Sequence, residues 1–91
     1  MSSDLLCTYL KVSAYFEPIP VHVDFVCSSD GWKKHAMIYD QEQKKWVIQF
    51  DYYPRGKHQC KFCIDGYLWK CLDNLPKAYD SSGNENNEIE V

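Results

Sequence analysis

The chain is poor in what several functional classes require. It has a single arginine, Arg55, and a formal net charge of -3. Neutralising a phosphate backbone takes clustered Lys and Arg, so the composition argues against a general nucleic-acid binder. No apolar run nears the roughly 18 residues of a membrane-spanning helix, so no membrane segment is expected. Met1 to Tyr9 carry no basic segment, no long apolar stretch and no small-residue cleavage site, so no signal peptide is expected. There is no internal repeat and no low-complexity tract. The five cysteines, Cys7, Cys27, Cys60, Cys63 and Cys71, are an odd number. With no secretion signal, that count predicts free thiols in a reducing, cytoplasmic setting.

What remains is a chain of 91 residues, the size of one small domain. Hydrophobic residues make up 45% and aromatics 15%, enough to build a packed core. Short apolar runs alternate with turn residues at intervals of roughly ten, as in a sandwich or small barrel. The runs are Cys7 to Phe16, Val21 to Cys27, Ala36 to Tyr39, Trp46 to Phe50, Lys57 to Asp65, Leu68 to Leu72 and Glu88 to Val91. Glu17-Pro18-Ile19-Pro20 ends the first run, because two prolines stop a strand. In the second, Val21, Val23, Phe25 and Cys27 alternate with His22 and Asp24, the period of a half-buried strand. Trp46, Ile48 and Phe50 share one face of the fourth. Asp73 to Asn87 reads as a polar loop. No stretch reads as an amphipathic helix. The predicted fold is all-β, an antiparallel immunoglobulin-like (E-set) sandwich of about seven strands, spanning residues 1–91 as a single domain. A chain that stops on a strand residue predicts a module of a larger protein.

Catalytic signals are weak. Cys60-Lys61-Phe62-Cys63 is the one CxxC, and it lies within a strand. Residues i and i+3 of a strand point to opposite faces, so the two sulfurs do not share a metal. His22, His35 and His58 are scattered, and no Ser or Cys stands in a nucleophile-elbow setting. Asp65, Asp73 and Asp80 could act as acids or bases, but Asp65 precedes Gly66 and reads as a turn residue. No enzyme, metal site or cofactor is expected.

Binding signals are stronger. Trp32 and Trp69 lie near turns beside lysines and acids. Such aromatics serve either as surface platforms or as lids over the end of the sandwich. Asn84-Glu85-Asn86-Asn87 offers paired amide donors and acceptors suited to sugar hydroxyls, or a loop that caps its own backbone.

These residues form a pattern. Gly56 to Gly66 resembles the G-x-x-x-Y-K-F-x-V-D-G strand of family-48 carbohydrate-binding modules. That family includes the glycogen-binding domain of the AMP-activated protein kinase β subunit and the module of plant phosphoglucan phosphatases. Gly83 to Val91 resembles the family's closing G-x-x-N-N-x-x-x-V. Val21 to Trp32 takes the place of the strand and turn that lead to its first tryptophan. The resemblance spans about residues 21–91. It implies non-catalytic binding of α-1,4-glucan, glycogen or starch, and an attached kinase or phosphatase. It implies that Trp32 and Trp69 stack on sugar faces, and that Lys61 and Asn86 hydrogen-bond the sugar hydroxyls; Asn84, in the same amide-rich run, is a further candidate. A diverged sandwich that contacts protein instead of sugar is the alternative.

Three departures from the family pattern carry structural consequences. Cys27-Ser28-Ser29-Asp30-Gly31-Trp32 replaces G-S-F-N-x-W and alters the first turn. Asp65-Gly66-Tyr67-Leu68-Trp69 is one residue longer than D-G-x-W. A one-residue shift turns Trp69 inward and leaves Tyr67 as the platform, unless a bulge absorbs it. Ser82 stands near the position where kinase-type modules carry a bulky apolar residue, which implies weaker affinity.

Overall fold

The computed structural model describes residues 6–91; the reading of the N-terminus over residues 1–5 lies outside them. Among the described residues, nine strands form two antiparallel sheets. The smaller sheet has the order β1-β5-β4, with β1 at Cys7–Ala14, β4 at Ile38–Asp40 and β5 at Lys45–Pro54. The larger has the order β3-β2-β6-β9-β8. Its strands are β2 at Val23–Cys27, β3 at His35–Ala36, β6 at Lys57–Ile64, β8 at Lys77–Tyr79 and β9 at Glu85–Glu90. A short β7, Leu68–Lys70, adds to the far end of β6. No described helix is long and apolar enough to cross a membrane.

The inner faces follow from alternation. Leu10, Val12 and Ala14 of β1 meet Trp46, Ile48 and Phe50 of β5 across the smaller sheet. A bulge at residues 51–52 then shifts the phase of β5, so that Tyr53 also turns inward. From the larger sheet come Val23, Phe25, Cys27, Cys60, Phe62 and Ile64. Phe25 and Phe62 lie fully buried at the centre, with ring centroids 5.7 Å apart. Trp46 is buried as expected, and its indole Nε1 has no partner among the described residues.

Several elements depart from the sequence reading. The run Ala36 to Tyr39 is two strands in different sheets. The chain crosses between them at buried Met37, whose N–H donates to the Val23 carbonyl. Val21 does not join β2 and is 91% exposed. The Asp65 carboxylate accepts the N–H groups of Val21 and His22, so both precede the strand instead of extending it. All five residues of β2 are buried, including Asp24, whose carboxylate lies 2.9 Å from His22 Nε2. The half-buried pattern is thus replaced by a strand covered on both faces.

The polar stretch from Asp73 onward also holds more order than a loop. Lys77–Tyr79 pairs with β9, and β9 begins at Glu85. Asn87 explains why. Its side chain is fully buried, its Oδ1 accepts the Leu72 N–H, and its Nδ2 donates to the Leu72 carbonyl. A primary amide matches a backbone peptide in both directions, so Asn87 ties the segment after β7 to the core.

Replacing Asn87 by Ala leaves the Leu72 N–H and C=O without these partners in a dry site. We expect Asn87→Ala to lower unfolding stability by about 2–4 kcal/mol, read by urea titration. A loss under about 0.5 kcal/mol would show that water replaces the amide freely.

Candidate functional site

The outer face of the larger sheet carries a shallow cavity of about 410 Å³, lined by Val26, Trp32, Lys61, Trp69, Asp80, Asn84 and Asn86. Register brings these residues together. Val26 on β2 lies opposite Lys61 on β6, so both face outward. Two residues on, Cys63 shares that face and pairs with Trp69 of β7. Asn86 lies one residue from the Cys60–Asn87 pair, on the Lys61 side of the sheet. The face is therefore a consequence of β6 alternation: Cys60 and Phe62 point in, while Lys61 and Cys63 point out. Cys63 is fully buried but lies outside the core cluster, so the two CxxC thiols sit on opposite faces.

Trp69 reaches this face because a bulge absorbs the extra residue. Asp65 and Gly66 both have positive φ, and the Tyr67 N–H donates to the Ile64 carbonyl. This is the two-residue primed turn of hairpins, with Gly66 suiting its left-handed position. Yet Ile64 pairs with Leu68, so Tyr67 is left over. Leu68 and Trp69 recover the phase that the insertion would otherwise flip. The alternative platform, Tyr67, is not brought to this face. It is exposed on the hairpin turn, beside a second groove with Phe16, Pro18 and Ile19.

Trp32 comes from the turn after β2. Ser28–Asp30 form one short 3-10 turn, Gly31 is left-handed at φ 75°, and Trp32 follows at φ 68°. A left-handed tryptophan is strained, and such strain persists only where neighbours impose it. Here the Trp32 N–H donates to the Cys27 carbonyl at 3.0 Å. Asp30 bonds the His35 ring and accepts the Lys33 N–H. Ser29 Oγ bonds the Tyr53 hydroxyl, and burial pushes the Tyr53 phenol pKa up. Ser28 Oγ accepts the Gln59 N–H, which joins the turn to β6. The altered turn thus has its own fixed shape. Trp32 is 39% exposed and Trp69 48%. The Lys34 ammonium lies 5.8 Å from the Trp69 ring centroid and links the Trp32 turn to the second indole.

The third wall is the loop between β8 and β9. Asp80 organises it. One carboxylate oxygen accepts the N–H groups of Ser82 and Asn84; the other accepts the side-chain amides of Asn84 and Asn86. Asn86 is nearly buried, and its Nδ2 also donates to Gln59 Oε1 at 2.9 Å. By sequence alone Asp80 reads only as an acid or base. The signal for its structural role was the Asp-Ser-Ser-Gly-Asn order, in which an aspartate precedes small residues whose N–H groups it can collect. Val26 carries no such signal, since His22 and Asp24 mark this side of β2 as polar. Among the described residues, no group of three or more His, Cys, Asp or Glu could hold a metal.

The face offers two partly exposed indoles, the Lys61 ammonium, amides fixed around the Asp80 carboxylate and an apolar floor. That combination suits a flat ligand edged with hydroxyls better than a charged or fully apolar one.

Hydrogen bonds from the Asn84 N–H and its neighbours hold the Asp80 carboxyl below its ordinary 3.8. A depressed pKa means the loop gains stability above 3.8 and loses it as pH falls through the lower, folded value. We expect the Ser82 and Asn84 amide resonances to titrate with a midpoint under 3.8. A midpoint at or above it would contradict the assigned bonding.

The model of the family described as the glycogen recognition site of AMP-activated protein kinase matches residues 21–91. No curated protein matches the chain.

Proposed function

Because the chain belongs to the family of glycogen recognition sites of AMP-activated protein kinase, we propose that its aromatic face binds an α-1,4-glucan. The observation that carries this reading is the convergence of Trp32, Lys61, Trp69 and Asn86 on one cavity. The apolar faces of consecutive glucose units stack on the two indoles. Lys61 donates to ring hydroxyls between them, and Asn84 and Asn86 close the third side. Asn86 is already fixed by Gln59, so little side-chain entropy is lost on binding. The role is non-catalytic, and any enzyme it serves, kinase or phosphatase, lies elsewhere in the same protein or complex. Glycogen and starch share the chemistry this face reads. The module then delivers its enzyme to polysaccharide in the cytoplasm.

The alternative, a sandwich that contacts protein after losing sugar binding, would be favoured by a tryptophan turned into the core. Trp32 and Trp69 both remain exposed, on one face. That supports the sugar reading.

Two stacking aromatics and a few hydroxyl contacts give a Kd in the millimolar to micromolar range, about 4–8 kcal/mol. Titration with maltoheptaose should quench or shift tryptophan emission saturably. Trp32→Ala and Trp69→Ala should each weaken binding roughly tenfold, while Tyr67→Ala leaves it unchanged. Affinity unchanged from the unsubstituted protein in both tryptophan variants, with the fold intact, would refute the site.

A further inference from the structure

We propose that Cys27 and Cys60 form a cross-strand dithiol poised to close as a disulfide, which then locks the turn carrying Trp32. The register places them directly opposite each other on β2 and β6. Both are fully buried and belong to the same core cluster, so their side chains leave the ladder on the same face.

The hydrogen-bond phase of the sheet shows which kind of pair this is. Gly56 and Val91 exchange both backbone bonds, each 2.9 Å, so β6 residues at even positions bond toward β9. The Asp65 N–H donates to the His22 carbonyl, so odd positions bond toward β2. The Gln59 N–H, also odd, points the same way, to Ser28 Oγ. Cys60 is even, so against β2 it makes a non-hydrogen-bonded pair. In such pairs the Cα atoms approach to about 4.5 Å and the side chains are closest. That lies inside the Cα window a disulfide spans, roughly 4.4–6.8 Å. Cys63 is excluded as the partner because it faces the other side of the sheet. Cys7 and Cys71 are only partly buried, and neither belongs to the core cluster.

The chemistry balances with a low-molecular-weight disulfide such as oxidised glutathione. One cysteine thiolate attacks it, forming a mixed disulfide and releasing one glutathione thiolate. The second cysteine attacks the protein sulfur and releases the other. Two protein thiols are oxidised, one external disulfide is reduced, and the protons pass to the two released thiolates. Burial pushes the Cys60 thiol up to about 12, so exchange waits on local opening at the Cys27–Cys60 end of the β2–β6 ladder. Once closed, the bond holds Cys27, whose carbonyl accepts the Trp32 N–H. The closed form therefore has the more rigid platform. The consequence for sugar affinity rests on the glucan reading; the linkage itself does not.

The test uses the folded full chain and its Cys7→Ser/Cys71→Ser variant. Each is equilibrated with reduced and oxidised glutathione over a range of ratios, quenched by alkylation, and mapped by peptide mass spectrometry. The expected product is a single intramolecular Cys27–Cys60 link with loss of two hydrogens. Hydrogen exchange at the Trp32 amide should slow about tenfold in that product. Linkage through Cys63 would overturn the assignment. So would Cys27 and Cys60 remaining thiols at ratios that fully oxidise the urea-unfolded chain. An unchanged Trp32 exchange rate in the linked form would overturn the locking role.

Discussion

The pairing of β2 with β6 is the constraint on which the rest depends. Of five consecutive pairs, Val23–Ile64, Phe25–Phe62 and Cys27–Cys60 face the core. The two between them, Asp24–Cys63 and Val26–Lys61, face outward, where Val26 and Lys61 make the floor of the cavity. β6 also receives β9 along its first half and β7 along its second. Each wall of the site thus grows from a strand or turn attached to this one ladder. A slip of one residue would exchange Lys61 with Phe62 and destroy core and site together.

The walls are held by polar anchoring, and each anchor differs. Trp32 hangs on a strained turn fixed by Ser28, Ser29 and Asp30. Trp69 depends on a bulge at Tyr67. Asn86 depends on Gln59 and on the Asp80 loop. Beneath them, Asn87 ties the chain after β7 to β9. Such anchoring pre-forms the face before a ligand arrives. A weak stacking ligand benefits most from this, because its gross contact energy is small and ordering side chains would consume much of it.

Strong alternation was legible in the sequence. The inward set Cys60, Phe62 and Ile64, the outward Lys61 and the inward Trp46, Ile48 and Phe50 follow from period two alone. Elements whose direction is set by a single side-chain hydrogen bond were not. Val21 looked like the first inward residue of β2, but the Asp65 carboxylate captures its N–H. Lys77–Tyr79 looked like loop, because three residues carry no period and their order comes from β9. Between Tyr67 and Trp69, sequence left two choices, since whether a bulge forms is decided by the Asp65-Gly66 turn and the β6 register together. Asp80 was visible as an acid but not as the hub of its loop, a role that depends on which N–H groups the fold delivers to it.

Binding of an α-glucan by one contiguous face, as proposed, is tested most directly by following the three indole N–H resonances and the Asn86 side-chain amide in a single maltoheptaose titration. Trp32, Trp69 and Asn86 are expected to shift together on one saturation curve, while buried Trp46 stays still. Shifts centred on Tyr67, or none at about 10 mM ligand in a folded sample, would contradict it.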